Sequence, residues 1–274
     1  CLPDLLHVSI EEPAMLAEEH NNFVIKADKI QHLRETDERA SFEGMSSEQR
    51  EAAEVKLAGE HLHLFDHSLL ADLEQGWRNP EKVRMATKLA VLHGINIIHI
   101  EDQGRNKRCG HLGGKELAPI SDYCQILEAA NFAAQEELGP VQAEKQWVTF
   151  VARTDAYSAD RIEYSKLLED PKNLDHPFID WDRGVTPDGM YLYLKKGINP
   201  ETGNTWGLDL SIVRGAEVVK RGLASHVWME TPDADLHVAK AFLQGVNDKL
   251  APLGLEAKGL YNHSPSFDWD TKFY

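Results

Sequence analysis

The sequence predicts an α/β fold on a parallel sheet, and three observations carry that prediction. From residue 61 onward, five short apolar runs alternate with amphipathic stretches long enough for helices, the pattern of consecutive βαβ units. Each run ends in side chains able to do chemistry: Asp72 and Glu74, Glu101 and Asp102, Arg153 and Asp155, Glu230, and finally Asn262, Ser264 and Ser266. Such residues at one edge of successive strands mark either the active-site face of a (β/α)8 barrel or the crevice of an open doubly wound sheet. The composition, 42% hydrophobic and 27% charged over 274 residues, is that of a folded chain with a sizeable core.

Residues 1–60 read as a helical accessory segment. Pro13 suits a first turn, and Leu16, Phe23, Ala27 and Ile30 repeat at helical spacing. Ser46 and Gln49 stand in capping-box spacing ahead of a second helix, for which Gly59 is the C′ residue. Residues 61–274 carry the alternating pattern. A first strand, 62–71, leads to a helix opened by Asn79 and Pro80 and stopped by Gly94. A second, 95–100, is followed by a Gly-rich loop and a helix over about 121–138, closed by Gly139 and Pro140. The third is 147–152. Residues 157–206 interrupt the alternation with Pro, Gly, Asp and aromatics and read as an insertion, in which 191–194 forms one strand of a small hairpin. A helix over 208–221, a strand over 225–229, a helix over 233–250 and a strand over 257–261 complete the order. Setting aside leader and insertion leaves about 33 residues per βα unit for five units, whereas a closed barrel of eight would need about 260. The expectation is therefore an open sheet or an incomplete barrel whose other strands lie in a longer chain. The first residue, Cys1, and the stop at Tyr274, where a helix should follow the last strand, point the same way.

Charge narrows the partners. With 29 Lys and Arg against 45 Asp and Glu, the net charge of −16 argues against nucleic acid, which needs a basic footprint. No apolar run approaches the roughly 20 residues of a membrane span, and no basic-then-apolar leader opens the chain, so the expected location is cytoplasmic. Three cysteines, Cys1, Cys109 and Cys124, do not make a disulfide framework. Cys124 falls within a helix beside Ile126 and Leu127 and reads as a small core residue.

Two constellations carry chemistry. In the loop 106–115, Cys109 is flanked by Lys107, Arg108 and His111, a setting that lowers a thiol pKa and keeps a proton donor or acceptor near neutrality. Gly110, Gly113 and Gly114 let that loop close over a substrate. Asp72, Glu74 and Glu101 offer hard oxygen ligands suited to Mg2+, with Mn2+ as the alternative. His61, His63 and His67 alternate along a strand, but no Cys or carboxylate completes a zinc pattern around them. The chain has no Gly-x-Ser-x-Gly elbow, Walker A loop or dinucleotide fingerprint, which leaves the common hydrolase, NTPase and dehydrogenase readings without support.

The loop Lys107-Arg108-Cys109-Gly110-His111-Leu112-Gly113-Gly114-Lys115 resembles the isocitrate lyase signature Lys-Lys-Cys-Gly-His-Leu/Met-Gly-Gly-Lys. Five further motifs follow the same family. They are Ala71-Asp72-Leu73-Glu74-Gln75-Gly76, His99-Ile100-Glu101-Asp102-Gln103, Ala152-Arg153-Thr154-Asp155-Ala156, Trp228-Met229-Glu230-Thr231, and the stretch from Tyr261 through Asn262, Ser264 and Ser266 to Trp269. The resemblance implies a (β/α)8 barrel, here with about five of its eight strands, and Mg2+-dependent cleavage of isocitrate to glyoxylate and succinate. It also implies a homotetramer. In that reading Asp72 is the direct metal ligand, Glu74 and Glu101 hold the metal through water, and Arg153 pairs with a substrate carboxylate. Glu230 orients the glyoxylate part, Cys109 is the general acid with Lys107 and His111 as catalytic residues beside it, and Gly110, His111, Asn262, Ser264 and Ser266 bind substrate. Arg108 replaces the pattern's second Lys, a change also seen in methylisocitrate lyases, so a methylisocitrate or dual-specificity lyase is the alternative. His263 and Asp268 replace Cys and Asn. An inactive fragment or assembly module is the alternative outside enzymes.

Overall fold

The computed structural model describes residues 39–60, 69–108, 114–143, 148–231 and 236–261, leaving aside the side chains of 55–60 and 140–143. The helical reading of 1–38, the histidines 61, 63 and 67, and the site residues Cys109, Gly110, His111, Asn262, Ser264 and Ser266 lie outside the described residues. The chain divides into two units, one of residues up to 69 together with 89–95, the other of 70–88 and 96 onward.

In the first unit, helix α1 (Ser47–Glu60) opens on a reciprocal capping box. The Ser46 N–H donates to Gln49 Oε1 at 3.1 Å and the Gln49 N–H to Ser46 Oγ at 3.3 Å, as their spacing predicts. Gly59 does not end this helix; it lies inside it.

The second unit is built on a five-stranded sheet of β1 (Leu70–Asp72), β2 (Ile97–Glu101), β4 (Thr149–Thr154), β7 (His226–Met229) and β8 (Lys258–Gly259). All four pairings are parallel, and the spatial order follows the chain order. That order decides between the two expected architectures. A doubly wound sheet reverses direction at a switch point, whereas here every strand is added on the same side of its predecessor. Right-handed crossovers then put every connecting helix on one face, the winding of a (β/α)8 barrel. Among the described residues the sheet is not closed, with β1 and β8 as its edges.

The helices begin where capping chemistry allows. Asn79 Oδ1 accepts the N–H groups of Glu81 and Lys82 at the start of α2 (Pro80–Leu92), whose missing donor at Pro80 costs nothing in a first turn. The helix closes at Gly94, where φ of 80° lets the Ile95 N–H reach back to the Ala90 carbonyl. Helix α3 (Ile120–Ala143) breaks where its stop is expected: Gly139, at φ 69°, is not helical, and a second short helical run follows it to Ala143. Cys124 lies fully buried on it, and burial pushes its thiol up to about 11, the state of an inert core thiol. Thr205 caps α4 (Trp206–Lys220), and α5 (Leu236–Leu250) precedes β8.

A second, three-stranded sheet joins β3 (Glu116–Leu117), β5 (Arg161–Glu163) and β6 (Tyr191–Tyr193). β5 and β6 form the antiparallel pair expected around 191–194, while the parallel partner β3 comes from ahead of α3. Its core, Leu117, Ile162, Leu168, Ile179, Leu192 and Leu210, includes a residue of α4 and so fastens the small sheet to the large one.

Candidate active site

Strand geometry assembles the site. Alternate residues of a strand leave the sheet on opposite faces, so Ile98 and Ile100 of β2 point one way and His99 and Glu101 the other. The register sets Asp72 beside His99, Glu101 beside Arg153 and Arg153 beside Trp228. One face of the sheet, near its carboxyl edge, thus carries an acid, an imidazole, a second acid, a guanidinium and an indole in a row. Asp72, Glu101 and Arg153 were expected to follow their strands; instead they are the last or next-to-last residues of β1, β2 and β4. Their side chains leave the pleat, so the backbone ladder continues through them unhindered.

Asp72 Oδ1 accepts from His99 Nδ1 at 2.8 Å and from the Glu74 N–H at 2.8 Å. Burial works to raise the Asp72 carboxyl, but His99, Lys107 and Arg153 outweigh it and hold it below its ordinary value. The His99 ring lies 4.9 Å from that of Trp228, and the Arg153 guanidinium sits 4.7 Å over the same indole. His99 and Trp228 were not assigned roles from the sequence, although a lone His between Ile98 and Ile100 is the sign of a strand with one polar face.

The segment after β1 is bent by unusual backbone. Glu74, Trp77 and Arg78 take φ of 55°, 52° and 51°, a left-handed conformation rare for bulky residues. It turns the Glu74 carboxylate onto the Lys107 ammonium. Arg78 in turn reaches Asp122 at 3.1 Å and Glu163 at 3.0 Å, tying the bend to α3 and the small sheet.

Charge is concentrated and buried. Glu101 is 1% exposed; burial, with Asp155, Asp72 and Asp102 around it, pushes its carboxyl well up despite Arg153, whose Nε stands 3.5 Å away. Arg153 donates from Nε and Nη2 to the two oxygens of Asp155, and its Nη1 is 3.7 Å from Glu230. The buried Asp155 also takes Lys115 Nζ at 2.6 Å; Arg153 and Lys115 overcome the effect of burial and hold it at about 2. Lys107 Nζ lies 3.8 Å from Glu101.

Two side chains anchor the loop that leads to Cys109. The Gln103 amide donates to the Arg108 carbonyl and accepts the Arg108 N–H, both at 2.9 Å. Asn106 donates to Glu116 and to the Tyr191 hydroxyl. The residue immediately before Cys109 is therefore fixed to the end of β2.

The acids meet the chemistry of a hard divalent cation in part. Among the described residues no three His, Cys, Asp or Glu side chains are grouped to hold a metal unaided. Mg2+, however, commonly takes only one or two carboxylates, with water and substrate completing its shell. Among the described residues Glu101 Oε1 is a buried carboxylate oxygen with no hydrogen-bond partner, the kind of atom that a cation satisfies. Oxygen donors at Asp72, Glu74 and Glu101 fit such an ion.

A singly wound parallel sheet with acids, an arginine and lysines along its carboxyl edge defines an α/β protein of barrel type. More particularly, the chain belongs to the isocitrate lyase family, whose sequence profile matches residues 21–180. It is 33% identical over 202 residues to the isocitrate lyase of Corynebacterium glutamicum, covering 73% of this chain and 40% of that protein. The same identity and coverage hold for isocitrate lyase 1 of Mycobacterium tuberculosis. The chain thus spans about 40% of the length of these curated relatives. Among solved structures it is similar to a phosphoenolpyruvate phosphomutase from Streptomyces platensis, with a TM-score of 0.43 at 18% identity, covering 77% of this chain and 61% of that one. An oxaloacetate acetylhydrolase bound to 3,3-difluorooxalacetate matches with a TM-score of 0.43 at 18% identity over 74% of this chain and 56% of that one. No helix of the described residues is long and apolar enough to cross a membrane.

Proposed function

We propose that this protein cleaves isocitrate to glyoxylate and succinate in the presence of Mg2+, acting as a cytoplasmic homotetramer. The observation that carries the reading is the row Asp72, Glu101, Arg153 on one sheet face, with oxygen donors at one end and a guanidinium at the other. A 2-hydroxy tricarboxylate offers matching groups, a chelating hydroxy acid and further carboxylates. Asp72 would hold the ion directly, with Glu74 and Glu101 acting through water; Mn2+ suits the same donors. Bound there, the metal would supply positive charge for the oxygen of the developing aldehyde.

Cleavage breaks the bond between the hydroxyl-bearing carbon and its neighbour as the hydroxyl proton passes to solvent. The electron pair passes to the succinate carbon. Cys109, its thiol made a readier proton donor by Lys107 and His111, would give its proton to that carbon as general acid and be left as the thiolate. Arg153 would hold a substrate carboxylate, Glu230 the glyoxylate part, and Gly110, Asn262, Ser264 and Ser266 the rest of the substrate. Cations at the site reconcile a trianionic substrate with a chain of net charge −16.

Arg108 in the cysteine loop favours the second reading, a methylisocitrate or dual-specificity lyase. The test is glyoxylate release from isocitrate, and pyruvate release from 2-methylisocitrate, with Mg2+ and with a chelator. Metal-dependent glyoxylate release that exceeds pyruvate release is the expected result. A preference for 2-methylisocitrate would replace the first reading by the second. A folded protein inactive on both would leave an assembly module.

A further inference from the structure

Arg214 is a fully buried cation that the proposed chemistry does not use, and it lies at the centre of a charged network behind the site. Its Nη1 donates to Asp102 Oδ2 at 2.9 Å, its Nε to Asp175 Oδ1 at 3.1 Å, and its Nη2 to the Ala118 carbonyl at 2.9 Å. Asp102, also fully buried, spends its remaining capacity on the end of β4. It accepts the Asp155 N–H at 2.8 Å and the Thr154 hydroxyl at 2.7 Å, and its own N–H donates to the Arg153 carbonyl. Asp155 then grips Arg153 through two nitrogens. A continuous chain of hydrogen bonds therefore runs from α4 to the guanidinium at the sheet edge.

We propose that Arg214 is a positioning residue for Arg153, acting through Asp102 and Asp155. The proposal rests on the reading of Arg153 as the partner of a substrate carboxylate. Two features favour positioning over stability alone. A buried ion pair adds little net stability compared with apolar residues of similar volume, so packing alone does not call for one here. The fork of a guanidinium also serves three acceptors in fixed directions, which a lysine cannot do. Asp175, on the stretch between β5 and β6, holds the other side of the fork and accepts the Ile120 N–H at the start of α3. The long segment between those strands is thereby pinned to the same guanidinium that steadies the site.

The test uses the full native chain with Arg214→Lys, and Asp175→Asn as a milder variant. Folding is checked by the cooperative thermal transition. The position of Arg153 is read from its Nε–H proton in a nitrogen-15 NMR spectrum, assigned through its loss in Arg153→Lys. In folded Arg214→Lys the signal is expected to shift and its hydrogen exchange to speed up at least about tenfold. In the same protein KM for isocitrate should rise roughly 10- to 100-fold, the scale of a misplaced binding group, with kcat changed far less. An unchanged Arg153 signal in a folded variant would overturn the proposal whatever the substrate is. A moved signal with unchanged KM in an active enzyme would overturn it too. If the signal moves but the wild type neither binds nor cleaves isocitrate, the positioning role stands and the functional reading fails. Should Arg214→Lys not fold, the Asp175→Asn spectrum decides by the same criteria.

Discussion

At the scale of single residues, Glu101 and Gly76 show two different tensions. Glu101 keeps an ionisable group where burial and three neighbouring carboxylates oppose its charge, against which Arg153 acts most strongly and Lys107 stands 3.8 Å away. Such a group is retained at a cost to the fold when function needs it. Glu101→Gln is therefore expected to raise the unfolding temperature of the metal-free protein at neutral pH. Mg2+ is expected to stabilise the wild type, and less so this variant, since the charge proposed to hold the ion is gone. Thermal melts with and without Mg2+ check both, and a variant less stable than wild type without metal would contradict the first. Gly76 is a matter of space and backbone. Its φ is 63°, and a Cβ there would run into Ile126 and come within 3.2 Å of Val83. Gly76→Ala should destabilise by about 2–4 kcal/mol, the sum of a strained backbone and overpacking, as read from the urea midpoint at unchanged slope.

At the scale of elements, the loop after β2 is held by the paired hydrogen bonds of Gln103 to the backbone of Arg108, one residue before the thiol assigned as general acid. Gln103→Met keeps the bulk and removes both bonds. Turnover of isocitrate is expected to fall roughly 10- to 100-fold through misplacement of Cys109, while the sheet, whose ladder does not involve that side chain, stays intact by circular dichroism. Unchanged turnover would show that the loop is positioned by other contacts.

The same elements show how far local pattern reaches. Strands β2, β4 and β7 were legible because apolar residues bounded by polar ones repeat over a short window, and the Ser46 and Gln49 cap because it is a local reaction of side chain with backbone. Strand β3, only two residues long, left no periodicity to read; the break at Gly139 was legible because Gly and Pro are local stop signals, whereas the short helical run after it was not. The acids at the strand ends were legible as types. Their arrangement was not: the row Asp72, His99, Glu101, Arg153, Trp228 depends on register between strands, and the pairings of Arg214 with Asp175 and Asp102 join residues 39 and 112 positions apart. No window along the sequence contains such a pair.

At the scale of the whole molecule, the buried carboxylates pull stability in opposite directions as pH changes. Asp155, held at about 2, and Asp72, held below its ordinary value, bind protons less readily folded than unfolded. Their contribution is fully present above the unfolded value of about 3.9 and is lost as pH falls through their folded values. For Asp155 this is on the order of 2 kcal/mol. Glu101 and Asp102 are raised instead, so the folded state takes their protons first, and their ionisation costs stability as pH rises above about 4. Added to this, a net charge of −16 at neutral pH repels itself, and that repulsion relaxes as surface acids protonate. Stability of the metal-free protein is therefore expected to increase on acidification from neutrality, pass through a maximum above the ordinary carboxylate range, and fall steeply below about pH 4. Urea midpoints taken across that range measure the curve. If the proposed ion is held at Glu101, saturating Mg2+ should lift the neutral side most, where that carboxylate is charged, and so should move the maximum toward neutral pH. A metal-free curve that falls steadily from neutrality downward would mean that the Asp155 and Asp72 pairs outweigh Glu101, Asp102 and the net charge together.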